Sequence, residues 1–231
     1  MLFRQLFDYA TWTYTYLIAD ETTGEALLVD PVLEQVDRDR ALLAELELTL
    51  KYCLETHVHA DHITSTARLR ELTGCQGIVP AQAAVACADR AIQDGEVLRV
   101  GAIPITAMAT PGHTDSHMAF LVNGTHLLTG DSLFIRGCGR TDFQSGDAGL
   151  MYDSLQRLLA LPPETLVYPG HDYKGHTVST IAEERRLNPR IANRSRADFI
   201  QIMNSLNLPD PKRIMEAVPA NEQCGRALTT V

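Results

Sequence analysis

Thr56-His57-Val58-His59-Ala60-Asp61-His62 puts three imidazoles and a carboxylate side by side in a chain of 231 residues that has only eight histidines. Side chains crowded in this way compete for one small volume, and charged histidines would repel one another there. A bound cation removes that conflict. Neither core packing nor a solvated face accounts for so many ligand types at this spacing. Three glycine-containing turns downstream each carry a further candidate: Thr110-Pro111-Gly112-His113-Thr114, Thr129-Gly130-Asp131-Ser132 and Tyr168-Pro169-Gly170-His171-Asp172. A fourth, Arg136-Gly137-Cys138-Gly139-Arg140, offers two guanidinium groups and a thiol. Small residues let the backbone turn sharply and leave room for a ligand. The chemistry expected is that of a metal held by His and Asp.

The elements that must position these groups are short. Residues 14–20 read as a strand, and a Thr23-Gly24 turn leads to a second strand from Glu25 to Val29, ended by Asp30-Pro31. Val36, Leu43 and Leu46 recur at helical spacing within 34–47. A strand over 50–55 runs straight into the histidine cluster, so the cluster lies at a strand's C-terminal end, a usual place for a site. A helix is expected from about His62 to Leu72, closed by Gly74, then a short strand at Ile78-Val79 and a helix over Ala83–Arg90. Short strands follow at 97–100, 103–107, 118–122 and 126–128, with an Asn123-Gly124 hairpin turn. A helix over 150–159, a strand at 166–168 and two helices, the first marked by Val178, Ile181 and Ala182 and the second by Phe199, Ile202, Met203 and Leu206, complete the pattern. The tail, Arg213 to Val231, reads as irregular. Two strand-rich halves, each followed by helices, predict two sheets with helices outside.

A net charge of −9 argues against binding a nucleic-acid backbone, and no apolar run is long enough to span a membrane. The N-terminus lacks the features of a signal or transit peptide, so a cytoplasmic location is expected. Cys53, Cys75, Cys87, Cys138 and Cys224 are scattered, odd in number and without a C-x-x-C pair. They predict a reducing compartment, no disulfide framework and buried thiols.

The ordered set His57, His59, Asp61, His62, His113, Asp131 and His171 resembles the metallo-β-lactamase superfamily, over nearly the whole chain. That resemblance implies an α/β fold, an αββα four-layer sandwich of two mixed sheets face to face, spanning 1–231 as one domain. Residues 195–231 are expected to form a C-terminal helix and irregular tail near the substrate pocket. In the binuclear hydrolases of the superfamily, His57, His59 and His113 would hold one metal, Asp61, His62 and His171 a second, with Asp131 bridging.

Stretches that are not metal ligands resemble a narrower family, the persulfide dioxygenases: Ile135 to Gln144, His171 to Gly175, Leu187 to Arg190, Asn207 to Lys212, Val218 to Asn221, and Cys224-Gly225. That resemblance implies one Fe(II) per chain on His57, His113 and Asp131, leaving His59, Asp61, His62 and His171 to orient ligands. A face of two histidines and one carboxylate leaves open positions for substrate and O2. The implied substrates are glutathione persulfide and O2, with sulfite and glutathione as products. Glutathione carries two carboxylates, so cations are expected near it. Arg140 is the first candidate, Tyr173 and Lys174 resemble a glutathione-contacting position of glyoxalase II, and Lys212, Arg213 and Arg226 are tail candidates. Cys138 is expected either to pack or to act as a redox-sensitive thiol near the pocket. His117, His126 and His176 read as structural or exposed. The competing enzyme is a binuclear thioester hydrolase of glyoxalase II type. A metal-bearing binding module is the non-enzymatic alternative. The chain is expected to be a monomer or homodimer.

Overall fold

The computed structural model describes residues 1–209 and 213–226. The chain divides into two compact units, one of Met1–Ile92, Leu98–Pro104 and the tail, the other of Gln93–Val97 and Ile105–Pro209. The chain forms two six-stranded mixed sheets.

The first sheet runs in chain order: β1 (Leu2–Asp8), β2 (Thr13–Asp20), β3 (Glu25–Val29), β4 (Thr49–Leu54), β5 (Gln76–Pro80) and β6 (Arg90–Ile92). β1, β2 and β3 pair antiparallel, and β3 to β6 pair parallel. The parallel joins require crossovers: α1 (Val36–Glu45) and α2 (Thr66–Thr73) supply the first two, and the loop between β5 and β6 supplies the third. Val36 and Leu43 of α1 and Leu69 of α2 pack with Leu17, Leu28, Leu50 and Cys53 of the sheet. The parallel register sets Val29 opposite Leu54, so the first residues past the two strands, Asp30 and Glu55, emerge side by side.

The second sheet is ordered β12-β11-β10-β9-β8-β7. Its strands are β7 (Val97–Val100), β8 (Ile103–Ala109), β9 (Met118–Val122), β10 (His126–Gly130), β11 (Leu166–Pro169) and β12 (Ser179–Thr180). Asn123 and Gly124 both take positive φ in the β9–β10 turn, as that dipeptide allows. α3 (Ala148–Leu159) is capped by the Asp147 carboxylate and connects the parallel pair β10 and β11. Its Met151, Leu155 and Leu158 form a core with Ile181 of α4 (Ile181–Leu187) and with Phe199 and Met203 of α5 (Arg196–Asn204). Gly130 pairs with Pro169, so Asp131 and the Gly170-His171 turn leave adjacent strand ends.

Four expectations are corrected. Ala83–Arg90 is not a helix: after one short 3-10 turn the segment becomes a loop, with Ala84 in the left-handed region, and ends in β6. Val85 there packs with Val79, Ala67 and Cys224, a burial that irregular backbone satisfies as well as a helix would. The helix after the histidine cluster begins only at Thr66, because the backbone of Ile63–Ser65 is committed to bonds with Leu33, Pro31 and Asn221. The tail is not wholly irregular: α6 (Ile214–Asn221) forms despite Pro219 inside it. Its Ala217 and Ala220 pack on Ile63. Finally, Cys87 and Cys224 are joined by a disulfide, while Cys53, Cys75 and Cys138 are free and buried. Lys212 and part of the Asn207–Lys212 stretch lie outside the described residues.

Candidate metal centre

In the first unit, the loop after β4 presents His57, His59 and His62, all buried. Thr56 lies between His57 and a buried carboxylate. Its Oγ1 donates to Asp30 Oδ2 at 2.9 Å and sits 2.8 Å from His57 Nδ1. With the hydroxyl proton committed to Asp30, Thr56 Oγ1 accepts from Nδ1–H, and the lone pair of His57 is on Nε2. His59 turns the other way. Its Nε2 lies 3.1 Å from Asp30 Oδ1 and 3.3 Å from Glu55 Oε2. Burial alone would depress the His59 pKa, but Asp30 and Glu55 outweigh it and hold it well above the usual imidazole value. Asp61 accepts from Thr13 Oγ1 at 3.1 Å and meets His62 Nδ1 at 2.9 Å. Glu55 Oε1 also accepts from Thr64 and Thr66, each at 2.5 Å, fixing the loop's exit.

In the second unit, Asp131 stands between two imidazoles. His113 Nε2 is 3.6 Å from one carboxylate oxygen and His171 Nε2 is 3.6 Å from the other. His113 Nδ1 lies 2.8 Å from the Arg140 carbonyl, which can only accept, so Nδ1 carries the proton. In that tautomer His113 turns the lone pair of Nε2 toward a carboxylate oxygen. Two acceptors facing each other beyond hydrogen-bond range are the arrangement a shared cation stabilises. His59 Nδ1, His62 Nε2 and Asp131 Oδ1 are buried and have no hydrogen-bond partner among the described residues. Buried donors and acceptors seldom stay unsatisfied, so each unit by itself offers atoms that fit a metal.

The substrate-loop candidates fall into two groups. Arg140 is engaged within its own loop: its guanidinium makes a bidentate pair with Asp142 at 2.7 and 2.8 Å, donates to the Pro209 carbonyl at 2.7 Å and lies over the Phe143 ring. Cys138 is buried against Met203, and burial pushes its thiol up to about 11 despite nearby Arg190. Of the two expected roles, packing is the one this environment supports. Tyr173 is 61% exposed and stacks on His171, while Lys174 and Arg226 are exposed. Asp172 accepts the backbone N–H of Lys174 and of His176, which shapes the turn that carries them.

Sequence reasoning missed three groups that set the geometry. Asp30 was visible only as the end of a strand. Glu55 was visible only as the last residue before the cluster. His117, expected to be structural or exposed, is buried; its Nε2 accepts the Asp131 N–H at 3.0 Å while Thr110 holds its Nδ1. An acidic residue at the end of each of two predicted neighbouring strands was the available signal for the first two. Nothing in the sequence marks His117.

Residues 13–171 match the metallo-beta-lactamase superfamily. Persulfide dioxygenase ETHE1, mitochondrial, of Homo sapiens is 48% identical over 97% of this chain and 89% of its own. The crystal structure of ETHE1 from Myxococcus xanthus matches with a TM-score of 0.96 at 56% identity, covering 98% of this chain and all of that one. A hydroxyacylglutathione hydrolase of Rhodospirillum rubrum is 34% identical over 85% of this chain and 75% of its own. Among the described residues, no helix is long and apolar enough to cross a membrane.

Proposed function

The chain belongs to the metallo-β-lactamase superfamily and, within it, to the ETHE1-type persulfide dioxygenases, and from that membership we propose that it oxidises glutathione persulfide with O2 and water to sulfite and glutathione. The observation that carries the reading is identity of about half along nearly the full length of the human enzyme, set against a third for the hydrolase.

We assign one Fe(II) to His57, His113 and Asp131. Bound iron supplies the electron transfers that no side chain performs. The protein's part is orientation. The Asp30–Thr56 pair turns His57 so that Nε2 is the ligand atom, and the Arg140 carbonyl does the same for His113. His117 and Gly139 hold the backbone of Asp131, through its N–H and its carbonyl. His59 and Asp61 are read as orienting groups because His59 Nε2 is taken up by Asp30 and Glu55, and the Asp61 carboxylate by Thr13 and His62. His62 and His171 complete that scaffold. Tyr173, Lys174 and Arg226 are assigned to the glutathione moiety, whose carboxylates match exposed cations and a phenol. Arg140 joins them by exchanging Asp142 for a substrate carboxylate, an exchange between like bidentate partners.

One observation favours a second reading. Asp131 faces an imidazole with each of its oxygens, as a bridging ligand of a binuclear thioester hydrolase would. The two are separated by metal analysis joined to activity. About one iron per chain and O2 uptake with glutathione persulfide support the dioxygenase. Two metals per chain and hydrolysis of S-lactoylglutathione without O2 uptake would replace it.

A further inference from the structure

Asn221, the last residue of α6, is buried and makes three hydrogen bonds to the backbone of the histidine loop. Its Nδ2 donates to the His59 carbonyl at 2.9 Å and to the His62 carbonyl at 2.8 Å, and its Oδ1 accepts the Thr64 N–H at 2.9 Å. Only a primary amide offers two donors and an acceptor in so small a group. The residues that follow continue the contact. The Cys224 carbonyl accepts the Ala67 N–H at 3.0 Å. Gly225 has a φ of +85°, and a Cβ there would lie 1.9 Å from the Thr64 carbonyl oxygen. Residues 221–225 thus form a strap across residues 59–67. The strap is tied down at Cys224, whose disulfide partner Cys87 lies 137 positions earlier, in the loop before β6. Cys224 is buried, while Cys87 is only partly buried.

We propose that Asn221 is the positioning residue of the histidine loop and that the Cys87–Cys224 bond is a thiol-sensitive tether keeping it seated. Without the amide, the His59 and His62 carbonyls and the Thr64 N–H are left buried and unpaired, and the loop must shift to reach water. The carbonyl directions on either side of His59 and His62 fix where those imidazoles point, so such a shift moves the groups that surround His57. The tether acts by limiting how far the strap can leave, since a cross-link raises its effective concentration at the loop. A dithiol opens it in two steps. Its thiolate attacks Cys87 Sγ, the S–S bond breaks, and Cys224 leaves as a thiolate that takes up a proton. The reductant's second thiol then displaces Cys87 as a thiol and departs as a cyclic disulfide, so two electrons pass to the protein. The loop's importance to turnover rests on the dioxygenase reading; its mechanical hold does not.

The test is amide hydrogen exchange with iron content, steady-state kinetics and the electron paramagnetic resonance spectrum of the nitric oxide adduct, all on the iron-loaded full chain. In Asn221→Ala, amides of residues 59–65 exchange about tenfold faster while those of β10 and β11 do not change. The turnover number falls about tenfold at unchanged KM for glutathione persulfide, and the nitrosyl spectrum shifts. Asn221→Asp is no better than Ala, because its carboxylate would face two carbonyls. Cys87→Ser, and wild type reduced with dithiothreitol and desalted, raise exchange in 59–65 and 213–226 about threefold. Wild-type exchange over 59–65 in Asn221→Ala overturns the positioning role, and wild-type exchange in Cys87→Ser overturns the tether. If Asn221→Ala is insoluble, Asn221→Asp is judged by the same exchange criterion. Exchange is read without substrate, so a wild type inactive toward persulfide strikes the functional reading and leaves this one standing.

Discussion

The two units present their candidate ligands by different means. In the first, imidazoles are oriented by side chains: buried Asp30 through Thr56 for His57, buried Asp30 and Glu55 for His59, and half-buried Asp61 for His62. In the second, backbone does most of the orienting. A carbonyl of Arg140 holds His113, the N–H of Gly139 donates to the Asp131 carbonyl, and the N–H of Gly170 donates to the Gly130 carbonyl. Side-chain wiring is broken by removing a polar group. Backbone cradling is broken by adding a Cβ. The two halves should therefore answer to opposite kinds of substitution.

The largest effect tests whether there is one shared metal at all. Asp131→Ala removes the carboxylate that faces both His113 and His171. Iron per chain should fall below about a tenth, and persulfide turnover by about a thousandfold, since loss of a ligand exceeds the 10- to 100-fold typical of an outer partner. Retention of iron in that variant would break the assignment. Next comes the cradle. A Cβ on Gly139 would lie 2.1 Å from the Asp131 carbonyl and 3.1 Å from His113 Nδ1. Gly139→Ala should lower turnover about a hundredfold, the scale of a misplacement near 1 Å, and lower the thermal midpoint as the Asp131 backbone gives way. Wild-type kinetics would show that backbone does not govern this half.

How legible each half was in the sequence follows the same division. His57 stood out through its crowded cluster, and His113, Asp131 and His171 because ligand-type residues stood in short glycine-bearing turns at the ends of apolar stretches. Most strands were readable for the same local reasons, although the short β6 and β12 were not. What could not be read depends on pairing between distant segments. Asp30 becomes an orienting group only because the β3–β4 register puts it beside Glu55. Asn221 reaches a loop about 160 positions away, and Cys87 meets Cys224 across 137. α6 was hidden by proline, which ordinarily ends a helix but here sits inside one with its core alanines buried. The alanine-rich segment 83–90 had helix composition and lost to burial of Val85 beside Val79.

The side-chain half should respond to Asp30→Asn. The variant keeps the shape but weakens acceptance from Thr56 and His59, and iron affinity should drop about 10- to 100-fold, measured by competition with a chelator. An unchanged affinity would mean that Thr56 alone suffices. Arg140 sharpens the contrast, because its carbonyl and its guanidinium serve different ends. Arg140→Ala keeps the carbonyl that holds His113 and removes the group assigned to the substrate. Iron content should stay at wild type while KM for glutathione persulfide rises about tenfold, some 1.4 kcal/mol of lost binding. Iron loss instead would show that the Asp142 and Pro209 contacts of the guanidinium set the loop.

Asp39 in α1 shows what a buried carboxylate does when it is not wired as Asp30 is. Asp30 accepts from a backbone N–H, a hydroxyl and an imidazole. Asp39 has only Arg38, at 2.8 Å, and its Oδ2 has no hydrogen-bond partner among the described residues. Burial raises its pKa from 3.8 to about 6, against the pull of Arg38. A carboxyl with a raised folded-state pKa is penalised when charged. Below about pH 4 both folded and unfolded forms are protonated and no penalty exists. As pH rises from 4 toward 6 the unfolded chain releases its proton first, so stability falls, and above 6 the loss is complete. A shift of this size corresponds to about 3 kcal/mol at most. Asp39→Asn should therefore raise the thermal midpoint at pH 7 and leave it nearly unchanged at pH 4, with iron content and turnover unaffected. A midpoint gain of equal size at both pH values would show that the penalty is steric, and that burial of charge does not distinguish Asp39 from the carboxylates that serve the metal loop.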